Sequence, residues 1–175
     1  EQTLSKYNII DVLVNNAGVH TPIGKVFENN SNEWKRSIEV NLIGPFYTCK
    51  YVIPEMIKND FGRIINITSA MVKSPHPMMG LSTSARAGLT AFSKGISKQV
   101  IVDNVTINNL LPERFDTDRQ DFMTKMLMET KNISREEARE EITSTIAAKR
   151  FGDPKEFGAA CAFLCSKHAG FISGQ

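Results

Sequence analysis

The spacing of apolar positions changes several times along this chain, and each change marks an element. Residues 11–16, Asp-Val-Leu-Val-Asn-Asn, follow a polar stretch and run into Ala17-Gly18, the pattern of a short buried strand that ends in a tight turn. From Asn32 to about Asn59, Trp34, Ile38, Leu42, Phe46 and Ile53 recur at helical spacing, interrupted by Gly44-Pro45 and Pro54, which predicts a long helix kinked near Pro45. Gly62 then opens Arg63-Ile64-Ile65-Asn66-Ile67-Thr68-Ser69, a β-branched run of the kind buried on both faces of a parallel sheet. Beyond a Pro-containing loop at 73–77, a second long helix is predicted over 81–100 with Leu89, Phe92 and Ile96 on one face, and residues 105–111 form a third strand ended by Pro112. Strands separated by helices of this length make βαβ units with right-handed crossovers. The fold class is α/β.

Residues 119–150 break this rhythm. Met123, Met126, Leu127 and Met128 share one amphipathic piece, and a capping box from Ser134 to Glu137 opens another. Methionine-rich surfaces adapt to varied apolar partners, so this spacing serves either a substrate lid or an ordinary core face. A last helix is predicted from Asp153-Pro154 to Ser166, with Pro154 and Glu156 in its first turn.

Composition narrows the classes of function. The chain has 175 residues, 21 Lys+Arg against 19 Asp+Glu and a net charge of +2, with no basic run, so nucleic-acid binding is not expected. No apolar stretch approaches the roughly 20 residues of a membrane span. Cys49, Cys161 and Cys165 have no metal-ligand spacing and are expected to be reduced and buried, and no metal site is expected. The chain starts at Glu1 and stops at Gln175 straight after Ser-Gly, which reads as a fragment cut at both ends. An upstream targeting segment would be invisible here.

Several motifs occur in a fixed order: Asn15-Asn16-Ala17-Gly18, Asn41-Leu42-x-Gly44, Gly62-Arg63-Ile64-Ile65-Asn66-Ile67 with Ser69, the Asn108–Pro112 segment, Arg150-Phe151-Gly152-Asp153-Pro154, and Phe163-Leu164-Cys165-Ser166 before Ser173-Gly174-Gln175. The set resembles the short-chain dehydrogenase/reductase family, in particular its 3-oxoacyl-carrier-protein-reductase-like members, over almost the whole chain. The resemblance implies a Rossmann-like, doubly wound parallel sheet in which residues 1–175 are a single partial domain. The first three strands and the glycine-rich loop that holds the cofactor pyrophosphate would then lie outside it. It also implies NAD or NADP as cofactor, a small apolar carbonyl or alcohol as substrate, a homo-oligomer (dimer or tetramer) at full length and a cytoplasmic location. With its neighbours absent, the first strand would leave an edge open, so the isolated chain is expected to be unstable or prone to aggregate.

By this resemblance, Asn15, Asn16, Ala17 and Gly18 contact the cofactor, the alternative being a turn that merely ends the strand. Asn41 supports a site water, or is a buried polar residue of its helix. Ser69 binds the substrate oxygen, or satisfies local backbone groups. Pro112 and Thr117 lie toward the nicotinamide, Thr117 alternatively capping a helix.

The family's Tyr and Lys, four residues apart on the next helix, are not matched. Anchored on Ala87–Lys94, the register puts Ser82 at the tyrosine position and Arg86 at the lysine position. Ser82 follows Ser69 by the interval the family keeps between its Ser and Tyr. No Tyr-x-x-x-Lys occurs elsewhere, since Tyr7, Tyr47 and Tyr51 are followed four positions on by Asp11, Tyr51 and Glu55. Ser82 is a far weaker acid than a phenol with its pKa of about 10. Arg86 can hold ribose hydroxyls but does not deprotonate. His76 and Lys73 on the preceding loop are alternative proton donors or solvated surface residues, and Glu113 replaces a family glycine.

Two functions stand open at this level. One is an NAD(P)-dependent oxidoreductase with catalytic Asn41, Ser69, Ser82 and Arg86. The other is a non-catalytic relative that binds cofactor or a protein partner. In either, the helices at 32–59 and 81–100 are candidates for an oligomer interface.

Overall fold

A computed structural model describes residues 2–19 and 21–175. The chain divides into two compact units, one running to Leu111 and taking in Cys161–Gln175, the other Pro112–Ala160. The first contains helix α1 (Gln2–Tyr7), strand β1 (Val12–Asn15), helix α2 (Ser31–Ile38), a π-turn (Glu39–Ile43), helix α3 (Gly44–Lys58), strand β2 (Gly62–Ile67), helix α4 (Gly80–Val100) and strand β3 (Val105–Leu110). Single 3-10 turns lie at Ala70–Val72, Pro77–Met79 and Ile101–Asp103.

The three strands are parallel in the order β1-β2-β3, with Asn15 beside Asn66 and Asn66 beside Asn109 in register. The apolar runs that predicted the sheet bury Ile64, Val105 and Ile107 against Cys49, Met56 and Val100 of the covering helices. Helix α4 packs on β3, on the π-turn, on α2 and α3, and on the two turns before it. Strand β1 is paired on one side only, and Val12 and Val14 on it are exposed. After the 3-10 turn at Lys167–Ala169, the chain returns to β3, where Gly174 N–H donates to Ile107 O at 2.7 Å and Asn109 N–H to Gln175 O at 2.7 Å.

The long helix expected over 32–59 is three pieces. These follow one another without a gap, the π-turn of residues 39–43 lying just ahead of Pro45, which sits buried in the first turn of α3. An Asn30–Glu33 capping box starts α2, a signal the apolar spacing does not carry. Strand β2 stops at Ile67, so Ser69 lies beyond the strand and caps the turn at Ala70–Val72. Residues 2–7, read as a polar stretch, form a helix. Cys49 is buried as expected, but Cys161 and Cys165 are half-exposed, and all three thiols are free.

The second unit holds α5 (Asp118–Lys131) and α6 (Arg135–Ser144), packed together, and most of α7 (Pro154–Cys165). The Ser134–Glu137 capping box forms as predicted, with Ser134 N–H donating to Glu137 at 2.8 Å. Its two backbone and side-chain bonds hold the Glu137 carboxyl below the ordinary range.

Gly62 is fixed by packing. A Cβ there would stand 2.7 Å from Met56 Cβ and 2.5 Å from its sulfur, and Met56 is fully buried. Gly95 on α4 has open space at that position. Gly62→Ala is expected to lower stability by about 1–3 kcal/mol, and Gly95→Ala to raise it by about 0.5–1 kcal/mol. Denaturant midpoints of the two variants check the contrast.

Candidate functional site

A row of asparagines crosses the carboxyl ends of the strands, the edge at which open α/β sheets bind ligands. Asn15 Nδ2 donates to Asn66 Oδ1 at 2.8 Å, while Asn15 Oδ1 accepts from Thr48 Oγ1 of α3 at 2.8 Å. Asn66 Nδ2 donates to Ser93 Oγ of α4 at 2.8 Å and more weakly to Asn109 Oδ1 at 3.5 Å. Ser93 donates to Leu89 O, and Asn109 Nδ2 reaches Gln175 O at 3.3 Å. Asn66 and Ser93 are fully buried, so these bonds satisfy amides that water does not reach. The side chain of Asn15 thus works inside the sheet, and it leaves Asn16, Ala17 and Gly18 exposed as the turn beyond the strand.

That turn meets two other elements at Gly18. A Cβ at Gly18 would lie 3.2 Å from Arg86 Nη2 and 3.2 Å from Asn41 Oδ1, closer than an ordinary van der Waals contact, so a side chain there would push one of the two aside. Asn41 is buried in the π-turn and donates through Nδ2 to Ser37 Oγ at 3.3 Å. Arg86 and Ser82 share one face of α4, four residues apart, and Arg86 Nη1 donates to Ser82 Oγ at 2.5 Å. Ser82 is nearly buried and Arg86 half-buried. Gly18, Asn41, Ser82 and Arg86 therefore form one cluster.

Ser69 is half-buried on the turn that packs against α4, and its Oγ accepts from Met71 N–H at 3.2 Å. Its hydroxyl proton remains to be donated elsewhere. His76 is exposed, its Nδ1 accepting from Met78 N–H at 3.3 Å, and Lys73 is exposed at the end of the Ala70–Val72 turn. Cys49 lies in the core within 3.9 Å of Asn15 Nδ2, and burial pushes its thiol up to about 11, so it is an inert neighbour of the row.

Pro112 and Thr117 belong to the second unit. Thr117 stands at the start of α5, but its hydroxyl donates to Phe115 O at 3.4 Å and caps no helix N–H. Exposed Glu113 lies 3.5 Å from Arg114. Within this unit a cavity of about 500 Å³ is lined by Glu113, Phe115, Ile146, Phe157 and Ala160, with Arg150 and Glu156 at its edge. Arg150 Nη1 and Nη2 donate to the two Glu156 oxygens at 2.8 and 2.7 Å, and Asp153 N–H adds a third bond at 2.8 Å. Among the described residues, no group of three or more His, Cys, Asp or Glu side chains could hold a metal ion. No helix among them is long and apolar enough to cross a membrane.

A parallel Rossmann-like sheet with a glycine turn at its carboxyl edge, together with the matches that follow, makes this chain a short-chain dehydrogenase/reductase. The chain belongs to the enoyl-(acyl carrier protein) reductase family, whose model matches residues 1–175. It is similar to the 3-oxoacyl-(acyl-carrier-protein) reductase FabG of Haemophilus influenzae, 33% identical over 174 residues, covering 99% of this chain and 67% of that protein. It is also similar to the NADPH-dependent reductase BacG of Bacillus subtilis, 35% identical over 167 residues, covering 95% of this chain and 64% of that protein. Among solved structures, YwfH, an NADPH-dependent reductase involved in bacilysin biosynthesis, superposes with a TM-score of 0.92 at 32% identity, covering 99% of this chain and 66% of that one. The chain thus spans about two thirds of the length of the relatives it matches.

Thr48, Asn66, Ser93 and Asn109 were not singled out by the sequence, although an asparagine inside the apolar run of β2 is the signal that could have marked the row.

The Glu156 pair carries a pH prediction. Hydrogen bonding to Arg150, with the Asp153 N–H, holds the Glu156 carboxyl at about 2, below its ordinary 4.5. Because the folded-state value is depressed, the pair's contribution is complete above pH 4.5 and disappears as the pH falls toward 2. A carboxyl NMR titration should place the Glu156 midpoint near 2, and Arg150→Ala should return it toward 4.5.

Proposed function

We propose that this chain carries the catalytic half of an NAD(P)-dependent oxidoreductase that moves hydride between the nicotinamide cofactor and a small apolar carbonyl or alcohol. The observation that carries the reading is the Gly18 close approach, which sets an exposed turn against Asn41 and the Arg86–Ser82 pair. The residues fit a dinucleotide. An exposed Asn16-Ala17-Gly18 backbone can lie along its adenosine side, and a half-buried guanidinium beside it can donate to ribose hydroxyls. Pro112 and Thr117 are assigned to the nicotinamide end, and residues 119–150 to a substrate lid. When bound, the reduced nicotinamide supplies the hydride.

The chain's own groups supply orientation and the proton. Arg86 N–H occupies a lone pair of Ser82 Oγ, which turns the Ser82 proton away from the cation and toward a substrate oxygen. As that oxygen gains charge, Ser82 O–H donates its proton, and the guanidinium stabilises the oxyanion left on Ser82 until water reprotonates it. Ser69, with its oxygen already accepting from Met71 N–H, donates a second hydrogen bond to the same substrate oxygen. Asn41 Oδ1 comes to the same point beside Gly18 as Arg86 Nη2. An alkanol acid is weaker than a phenol, so slow turnover is expected, by about 10²- to 10⁴-fold relative to a tuned phenol.

A second reading, a cofactor-binding relative without turnover, is favoured by the absence of any Tyr-x-x-x-Lys in the chain. Consumption of reduced cofactor by the full-length protein with a panel of apolar ketones separates the two readings. The account expects turnover above the uncatalysed rate, lowered about 10²-fold or more in Ser82→Ala. A silent parent beside an active Ser82→Tyr/Arg86→Lys variant would establish the non-catalytic reading instead.

A further inference from the structure

We infer that Ser37 is a positioning residue that fixes which end of the Asn41 side chain faces the Arg86–Ser82 pair; the inference rests on the cofactor-binding reading of that cluster. Ser37 is fully buried in the last turn of α2 and has two polar neighbours. Its hydroxyl donates to Leu81 O at 2.9 Å, and its oxygen accepts from Asn41 Nδ2 at 3.3 Å.

The direction of each bond follows from chemistry. A backbone carbonyl only accepts, so Ser37 must give its single proton to Leu81 O. The Ser37 oxygen is then an acceptor only, and the amide above it must turn its NH₂ end down. Oδ1 is left at the opposite end, 3.2 Å from the point above Gly18 to which Arg86 Nη2 also comes within 3.2 Å. An acceptor oxygen and a cation therefore come to the same point beside the Gly18 backbone. With the amide reversed, N–H dipoles instead of an acceptor would meet Arg86 Nη2 at that point.

The backbone makes this arrangement possible. Ser37, at the end of α2, and Asn41, in the π-turn of Glu39–Ile43, stand four residues apart on one helical face, while α2 packs on α4. Leu81 is the residue before Ser82, so one hydroxyl links the helix bearing the amide to the first turn of the helix bearing the pair. Without it, nothing in that turn dictates the amide's direction.

The test uses the full-length protein and reduced nicotinamide cofactor, with its dissociation constant and bound-state fluorescence measured for the parent, Ser37→Ala, Ser37→Cys, Asn41→Ala and the Ser37→Ala/Asn41→Ala double variant. Ser37→Cys keeps the volume of the buried site while supplying a poor donor and acceptor, and stands in if the alanine variant folds badly. The expected result is cofactor binding weakened about fivefold or more by either Ser37 change, with altered nicotinamide fluorescence, and almost no further effect of Ser37→Ala once Asn41 is alanine. Equal weakening in both backgrounds would reduce Ser37 to a packing residue and overturn the inference. So would a dissociation constant and fluorescence unchanged from the parent. A parent that binds no reduced cofactor would overturn the functional reading itself, and this inference with it.

Discussion

The structure depends on a line of amides across its three strands, bonded to one another and to Thr48, Ser93 and Gln175, with the central one fully buried. Asn66, on the central strand, is fully buried and reaches a partner on each side, Asn15 on β1 and Asn109 on β3, and a third in Ser93 of α4. A buried amide group left without a partner costs about 1–3 kcal/mol. The row therefore ties the three parallel strands together at the edge where the ligand is proposed to sit. Its ends reach further: Thr48 ties it to α3, and Gln175 ties it to the segment returning beside β3.

The candidate site follows from that tie. With Asn15 held by its side chain, the turn that follows has a fixed origin and brings Gly18 against α4. With Ser93 held by Asn66, the middle of α4 is pinned to the sheet, and Ser82 and Arg86, two to three turns earlier on the same rigid helix, are placed by it. The π-turn brings Asn41 to the same point from the third direction. Three elements distant in sequence thus converge closely on one backbone position. Such a constraint suits a dinucleotide better than a compact substrate, because the exposed turn continues the cluster in one direction.

Much of this was legible in the sequence where a single element carries the information. Period and β-branching marked the three strands, and the spacing of Ser82 and Arg86 put them on one helical face, where they are hydrogen-bonded. What depends on pairing between elements was not legible. The asparagine row needs the register of β1, β2 and β3, and Ser37 needs the crossing of α2 with α4. Pro45 looked like the cause of a kink because proline breaks helices. The irregularity in that helix is a π-turn at residues 39–43, just ahead of the proline, whose type and exact place have no compositional mark. Cys161 and Cys165 looked buried because their helix is apolar, yet both are half-exposed.

The central claim is that the cluster at Gly18 holds a nicotinamide cofactor through Arg86. The most direct measurement is a fluorescence titration of reduced cofactor into the full-length protein and its Arg86→Met variant, which keeps the length of the side chain and removes the charge and donors. Hydrogen bonds from a charged donor contribute about 1.5–3 kcal/mol, so saturable binding by the parent should weaken about tenfold or more in the variant. An unchanged dissociation constant in a folded Arg86→Met protein would contradict the account.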